Sequence, residues 1–145
     1  MFSLFSKPLA VSSPAPEFTL PDQDGRPVAL SSLRGKNVVL VFYPKDETSV
    51  CRQQLCEFRD EWETVKATNA VVFGVNADSA NSHTKFRERH KFPFPLLIDK
   101  SQQVAKLYSA SGLIVKRTVY LIGPDGLIRY AKRGKPLPSE VLSAA

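Results

Sequence analysis

Apolar positions along the chain fall into a few short blocks, separated by stretches in which apolar residues recur at helical spacing. Val38–Tyr43 is an unbroken apolar run rich in β-branched residues. That is the pattern of a strand buried on both faces, and Pro44 ends it. Next, Cys51, Leu55, Phe58, Trp62 and Val65 form a stripe at helical steps, while Glu57, Arg59, Asp60, Glu61 and Glu63 take the other side. If Thr48 is the N-cap, its hydroxyl accepting a backbone N–H of the first turn, Cys51 falls at the third helical position. Ala70–Asn76 reads as a second buried strand, and Asp78 or Ser79 can cap a helix running to Lys91. Phe92-Pro93-Phe94-Pro95 forces an extended segment that leads into a short strand at Leu96–Ile98.

The remaining pattern is of turns. Phe18–Leu20 and Val28–Leu30 flank the turn DQDGRP, and Val119–Ile122 and Leu127–Ala131 flank Gly123-Pro124-Asp125-Gly126. Both read as β-hairpins, with Asp-Gly as the turn signal. Ser31–Lys36 is a polar connector, Ser101–Tyr108 a short helix, and Pro136–Ala145 predicts one brief final helix. Strands alternating with helices in this order imply an α/β layer architecture. A chain of 145 residues, 43% hydrophobic and 23% charged, is long enough for one core. The expectation is a single domain over residues 1–145, with residues 1–14 as an extended lead-in.

Charge and termini narrow the function. The net charge is +6, and Ser101–Ala145 holds seven lysines and arginines against two acids. No aromatic-interleaved basic motif accompanies them, so a solvated or partner-facing surface is expected rather than nucleic-acid binding. No apolar run approaches the roughly 20 residues that span a membrane, and the first residues lack a charged n-region. A cytoplasmic chain without a membrane segment is the simpler expectation.

Two cysteines, Cys51 and Cys56, are too few for a disulfide scaffold, and in a reducing compartment such a pair points to catalysis or metal binding. His83 and His90 match no usual zinc spacing with them, which favours solvated or core-satisfied histidines and no metal. A thiol with an ordinary pKa of about 8.5 becomes a better nucleophile at a helix N-terminus or beside a cation. Cys51 has such a place. It also lies on the apolar stripe, where free cysteine often acts as a small buried hydrophobe. Position alone leaves both readings open. Cys56 lies about 100° round the helix from Leu55, at the edge of the stripe. A reactive thiol at the start of the helix after the first central strand suggests a thioredoxin-like fold.

Pro44-Lys45-Asp46-Glu47-Thr48-Ser49-Val50-Cys51 matches the Pro-x-x-x-Thr-x-x-Cys signature of peroxiredoxins. The second cysteine five positions on makes the chain resemble the bacterioferritin comigratory protein or PrxQ branch. Phe42-Tyr43-Pro44-Lys45-Asp46, Phe58-Arg59-Asp60, Phe94-Pro95-Leu96-Leu97 and Arg117-Thr118 follow in the order expected of that branch. The resemblance implies a thioredoxin-like fold in which helices flank a central mixed β-sheet and a β-hairpin leads at the N-terminus. It implies Cys51 as the peroxidatic cysteine, Cys56 as the resolving one, Thr48 as the hydroxyl that orients the peroxide, Pro44 as the shield of the pocket and Arg117 as the guanidinium beside the thiolate. It further implies an antioxidant thiol peroxidase, without cofactor, acting on hydrogen peroxide and organic hydroperoxides. The sulfenic acid on Cys51 would condense to a Cys51–Cys56 disulfide, recycled by thioredoxin or a similar dithiol donor, in a monomer or weak dimer.

These types suit that chemistry. Arg117 and the helix N-terminus favour the sulfur anion, at about 1.4 kcal/mol per pKa unit. Thr48 and first-turn amides can hold both peroxide oxygens. In a straight helix the two Cα atoms would be about 8.6 Å apart, beyond the roughly 4.4–6.8 Å a disulfide accepts. The first turns are therefore expected to unwind in each cycle. Departures from the branch are local: Thr48-Ser49-Val50-Cys51-Arg52 stands for the common Thr-Pro-Gly-Cys-Thr, and Gln54 for a glutamate. Arg52 adds a cation and Gln54 removes an anion, both favouring the thiolate. One alternative is a thioredoxin-like dithiol carrier without peroxidase activity. Its hallmark, Cys-x-x-Cys with a downstream cis-proline, is missing here. The other is a binding module in which both cysteines are structural, distinguished by slow thiol reactivity in the native state.

Overall fold

The computed structural model describes residues 7–145; the part of the expected lead-in at residues 1–6 lies outside them. The elements are β1 (Thr19–Pro21), β2 (Pro27–Ala29), β3 (Asn37–Phe42), α1 (Ser49–Asp60), α2 (Trp62–Ala67), β4 (Ala70–Asn76), α3 (Ala80–His90), β5 (Leu96–Ile98), α4 (Gln103–Leu107), β6 (Thr118–Ile122), β7 (Ile128–Arg133) and α5 (Pro138–Leu142). Single 3-10 turns at Leu30–Leu33 and Lys100–Gln102 sit in the expected connector and before α4.

The sheet is mixed, in the order β5-β4-β3-β6-β7. β3 runs parallel to β4 and antiparallel to β6, and β4 runs parallel to β5. β1 and β2 form the separate antiparallel hairpin. Every residue of β3 is buried, and its side chains alternate between two cores, as strand periodicity requires. Val38, Leu40 and Phe42 join Phe18, Tyr108 and Tyr120 on one face. Val39, Val41 and Tyr43 join Cys51, Leu55, Phe58 and Phe86 on the other. Each fully buried aliphatic or aromatic side chain contributes about 1.5–3 kcal/mol, so both faces hold β3 in place. The lead-in residues that are described pair with the second hairpin: Ser12 N–H donates to Ile128 O (2.7 Å) and Ala15 N–H to Gly126 O (3.0 Å).

One element differs from expectation. The stripe from Cys51 to Val65 is not one helix; it breaks at Glu61, whose φ of −96° and ψ of 22° leave the helical region. No proline or glycine causes the break. Its outcome is packing: Trp62 turns onto Phe94, ring centroids 5.9 Å apart, while Val65 still reaches the core.

Two features of the sheet place the site. The antiparallel register sets Phe42 opposite Thr118, so Arg117 enters β6 beside the point where the chain leaves β3. Gly74 in β4 then lets the α1 side close in. A Cβ there would lie 2.7 Å from Leu96 Cδ2 and 3.0 Å from Tyr43 Cε1.

Candidate active site

The chain leaves β3 through Tyr43, bends through Pro44–Glu47 and enters α1 with Thr48 as N-cap (φ −81°, ψ 148°). Cys51 is the third residue of the helix, and its side chain is 1% exposed. Its surroundings carry features of both readings left open by sequence. The thiol packs in the apolar cluster of Tyr43, Leu55 and Phe58, and its sulfur also meets a cation: Arg117 Nη2 lies 3.2 Å from Cys51 Sγ. A guanidinium donating to sulfur at this distance stabilises the anion over the thiol.

Arg117 is held from two sides. Its Nη1 donates to Gln54 Oε1 at 2.8 Å, and Gln54, fully buried, donates from Nε2 to Gly134 O at 3.4 Å. Gly134 N–H in turn donates to the Arg117 carbonyl at 2.8 Å. That return bend needs φ of +95° at Gly134, where a side chain would be strained. Gln54 is neutral, so it orients the guanidinium without neutralising its charge. Its position three residues after Cys51, on the same helical face, was the signal that could have marked it as a site residue.

Thr48 is the N-cap, as expected, but its hydroxyl does not cap. It is exposed and donates to Lys45 O at 2.9 Å, because Glu47 adopts the left-handed region (φ 65°) and folds the Lys45 carbonyl back beneath it. The proton of Thr48 being committed, its oxygen is presented as an acceptor. Pro44 is half-buried beside the core. Arg52 is exposed, and its charge bears on Cys56.

Cys56 is half-buried at the edge of the apolar cluster. Burial pushes its thiol up, with Asp60 adding to the effect and Arg59 and Arg52 opposing it. Both cysteines are free thiols. The two thus differ in surroundings: one sulfur is buried against a guanidinium, the other is half-buried at the edge of the cluster.

Beneath the loop lies a polar cluster that the sequence did not flag. Asp46 is buried and accepts from Tyr43, Asn76, Ser82 and His83. Asp46 stands inside the Pro44–Cys51 signature, but its partner His83 lies 37 residues away and only the fold brings them together.

This chain matches the model of the AhpC/TSA family over residues 11–131. It is 42% identical over 131 residues to "Peroxiredoxin Q, chloroplastic" of Sedum lineare, covering 88% of this chain and 70% of that one. It is 37% identical over 132 residues to "Putative peroxiredoxin bcp" of Coxiella burnetii, covering 83% and 85%. Against several other chloroplastic relatives it spans 55% to 56% of their length. Among solved structures it superposes on Peroxidoxin BcpB from Mycobacterium tuberculosis with a TM-score of 0.87 at 30% identity, covering 92% of this chain and 94% of that one.

Proposed function

Since the chain belongs to the AhpC/TSA family, in its peroxiredoxin Q and bacterioferritin comigratory branch, we propose that it is a thiol peroxidase with Cys51 as the attacking sulfur and Cys56 as the resolving one. The observation that carries this reading is the 3.2 Å approach of Arg117 Nη2 to Cys51 Sγ. A structural cysteine in an apolar cluster has no use for a guanidinium on its sulfur, whereas a sulfur nucleophile does.

The Cys51 thiolate attacks the terminal oxygen of the hydroperoxide, an S–O bond forms as O–O breaks, and the leaving alkoxide or hydroxide takes up a proton. Thr48 Oγ1, its own proton given to Lys45 O, accepts from the peroxide O–H, while Arg117 and the first-turn amides stabilise the growing charge. Pro44 closes the apolar side. Cys56 then attacks the sulfenic sulfur as its thiolate, the S–O bond breaking as the S–S bond of the Cys51–Cys56 disulfide forms, and the hydroxide expelled takes up the proton that Cys56 released to leave as water. Helix geometry keeps the two Cα atoms about 8.6 Å apart, so the first turns of α1 unwind for this step. Thioredoxin or a similar dithiol supplies the two electrons that restore both thiols, in a cytoplasmic chain acting as a monomer or weak dimer on hydrogen peroxide and organic hydroperoxides.

Titration of the reduced protein with hydrogen peroxide, with free-thiol counting and intact mass, tests this. Loss of both thiols at one peroxide per chain is expected, with no reaction in Cys51→Ser and a trapped sulfenic acid in Cys56→Ser. Persistence of both thiols at excess peroxide would overturn it.

A further inference from the structure

The cluster under the loop has a geometry that the peroxide chemistry itself does not use. The Asp46 carboxylate is 1% exposed. Its Oδ1 accepts from Tyr43 Oη (2.6 Å) and Asn76 Nδ2 (3.2 Å), and its Oδ2 from Ser82 Oγ (2.8 Å) and His83 Nδ1 (2.6 Å). The Asp46 N–H donates to Asp78 Oδ2 at 2.7 Å. On the far side of the imidazole, Nε2 is 2.9 Å from Leu97 O. A carbonyl only accepts, so Nε2 carries a proton. An ionised carboxylate also only accepts, so Nδ1 carries one too. Burial opposes ionisation of Asp46, but the hydrogen bond and charge of His83, helped by Tyr43 and Ser82, hold its carboxyl below the usual range. The result is a buried ion pair with its hydrogen bonds satisfied, tying the loop to β4, α3 and β5.

We propose that His83, acting through Asp46, is a positioning residue for the peroxide step, fixing the loop so that the Lys45 carbonyl holds the Thr48 hydroxyl. Each link is in contact with the next: His83 to Asp46, Asp46 by chain to Lys45, and the Lys45 carbonyl to Thr48 Oγ1 at 2.9 Å. The loop needs such a clamp because Glu47, between Asp46 and Thr48, holds φ of 65°, a conformation disfavoured for a residue with a Cβ. On the α3 side the Glu47 carboxylate lies 3.2 Å from Arg89 Nη1 and 3.5 Å from His90 Nε2, contacts of its side chain that leave the carboxylate of Asp46 as the anchor inside the loop. Arg117 reaches the sulfur from β6, from outside the loop. Loss of the clamp should therefore impair handling of the peroxide and spare the nucleophilicity of the sulfur.

This rests on the reading of Cys51 as the attacking sulfur, and its test separates the two. In a Cys56→Ser background, where one thiol remains, second-order rates with hydrogen peroxide and with iodoacetamide are measured at one pH, with and without His83→Gln. The expected result is a peroxide rate about 10- to 100-fold lower with alkylation changed less than about twofold. A peroxide rate unchanged by His83→Gln, or both rates falling together, would overturn the proposal. If the parent protein itself ignores peroxide, the functional reading fails and takes the proposal with it. Should His83→Gln not fold, Ser82→Ala removes one hydrogen bond to the same carboxylate oxygen. A fall of about threefold or more in the peroxide rate alone supports the clamp, and no change overturns it.

Discussion

The loop Tyr43–Glu47 and the first turn of α1 are neighbours in the chain and opposites in how they are held. The loop has no regular structure and one residue in the left-handed region, yet its centre is pinned by a buried carboxylate with four side-chain donors. The first turn of α1 is regular, yet its N-cap side chain accepts from none of the helix N–H groups, no acidic residue sits in it, and Ser49, Val50, Arg52 and Gln53 are exposed. A helix start with unsatisfied N–H groups and no anion to balance them is weakly held. Regularity and rigidity are thus separated here. The irregular segment is fixed, and the helical turn that carries Cys51 is the part free to change.

Substitutions on each side of this boundary should differ in kind. The largest effect is expected at the sulfur: Arg117→Met should slow the peroxide reaction about 10²- to 10³-fold in stopped-flow fluorescence, whereas Arg52→Met, exposed, should change it less than about threefold. A similar effect on Arg52 would mean that the surface cation does the work. In the clamp, removing His83 leaves Asp46 as an unpaired buried anion and should cost about 3–5 kcal/mol in urea melts. In the helix turn, Gln53→Ala should stay within about 0.5 kcal/mol. Equal costs would erase the contrast.

Smaller effects concern the second thiol and the helix start. Burial raises the Cys56 thiol, so at neutral pH it is protonated and must ionise to attack. Disulfide formation after a peroxide pulse should accelerate about tenfold per unit from pH 7 to 8; a flat profile would show that unwinding limits the step. Ser49→Pro sets a proline at the first helical position behind an extended Thr48, which suits both residues. It should stabilise the reduced form by up to about 1 kcal/mol and slow disulfide formation a few-fold, leaving the peroxide step unchanged.

Much of this was legible in the sequence because it rests on local pattern. The buried strand Ala70–Asn76, the short strand Leu96–Ile98, both hairpins and the third-position cysteine follow from periodicity, proline and turn chemistry, and appear where they were expected. The resemblance supplied Arg117, and register explains why it reaches Cys51 across 66 residues of chain. The break at Glu61 was not legible, since nothing local demands it and tertiary packing of Trp62 decides it. Nor was the direction of the Thr48 hydroxyl, which depends on the backbone angle of Glu47. Gln54 read as a missing charge, and its role as the group that orients Arg117 emerged only once both partners were placed. The Asp46–His83 pair joins a loop to a helix 37 residues on, and no one-dimensional spacing encodes such a contact.

The most direct test is amide hydrogen exchange, by mass spectrometry, on the reduced protein and on the protein oxidised with one equivalent of peroxide. Loss of protection across residues 48–57 on oxidation, with β3 and residues 43–47 keeping theirs, is the predicted result. Unchanged protection across 48–57 in the oxidised protein, or loss that spreads evenly through the loop and the helix, would contradict a fixed loop beside an unwinding turn.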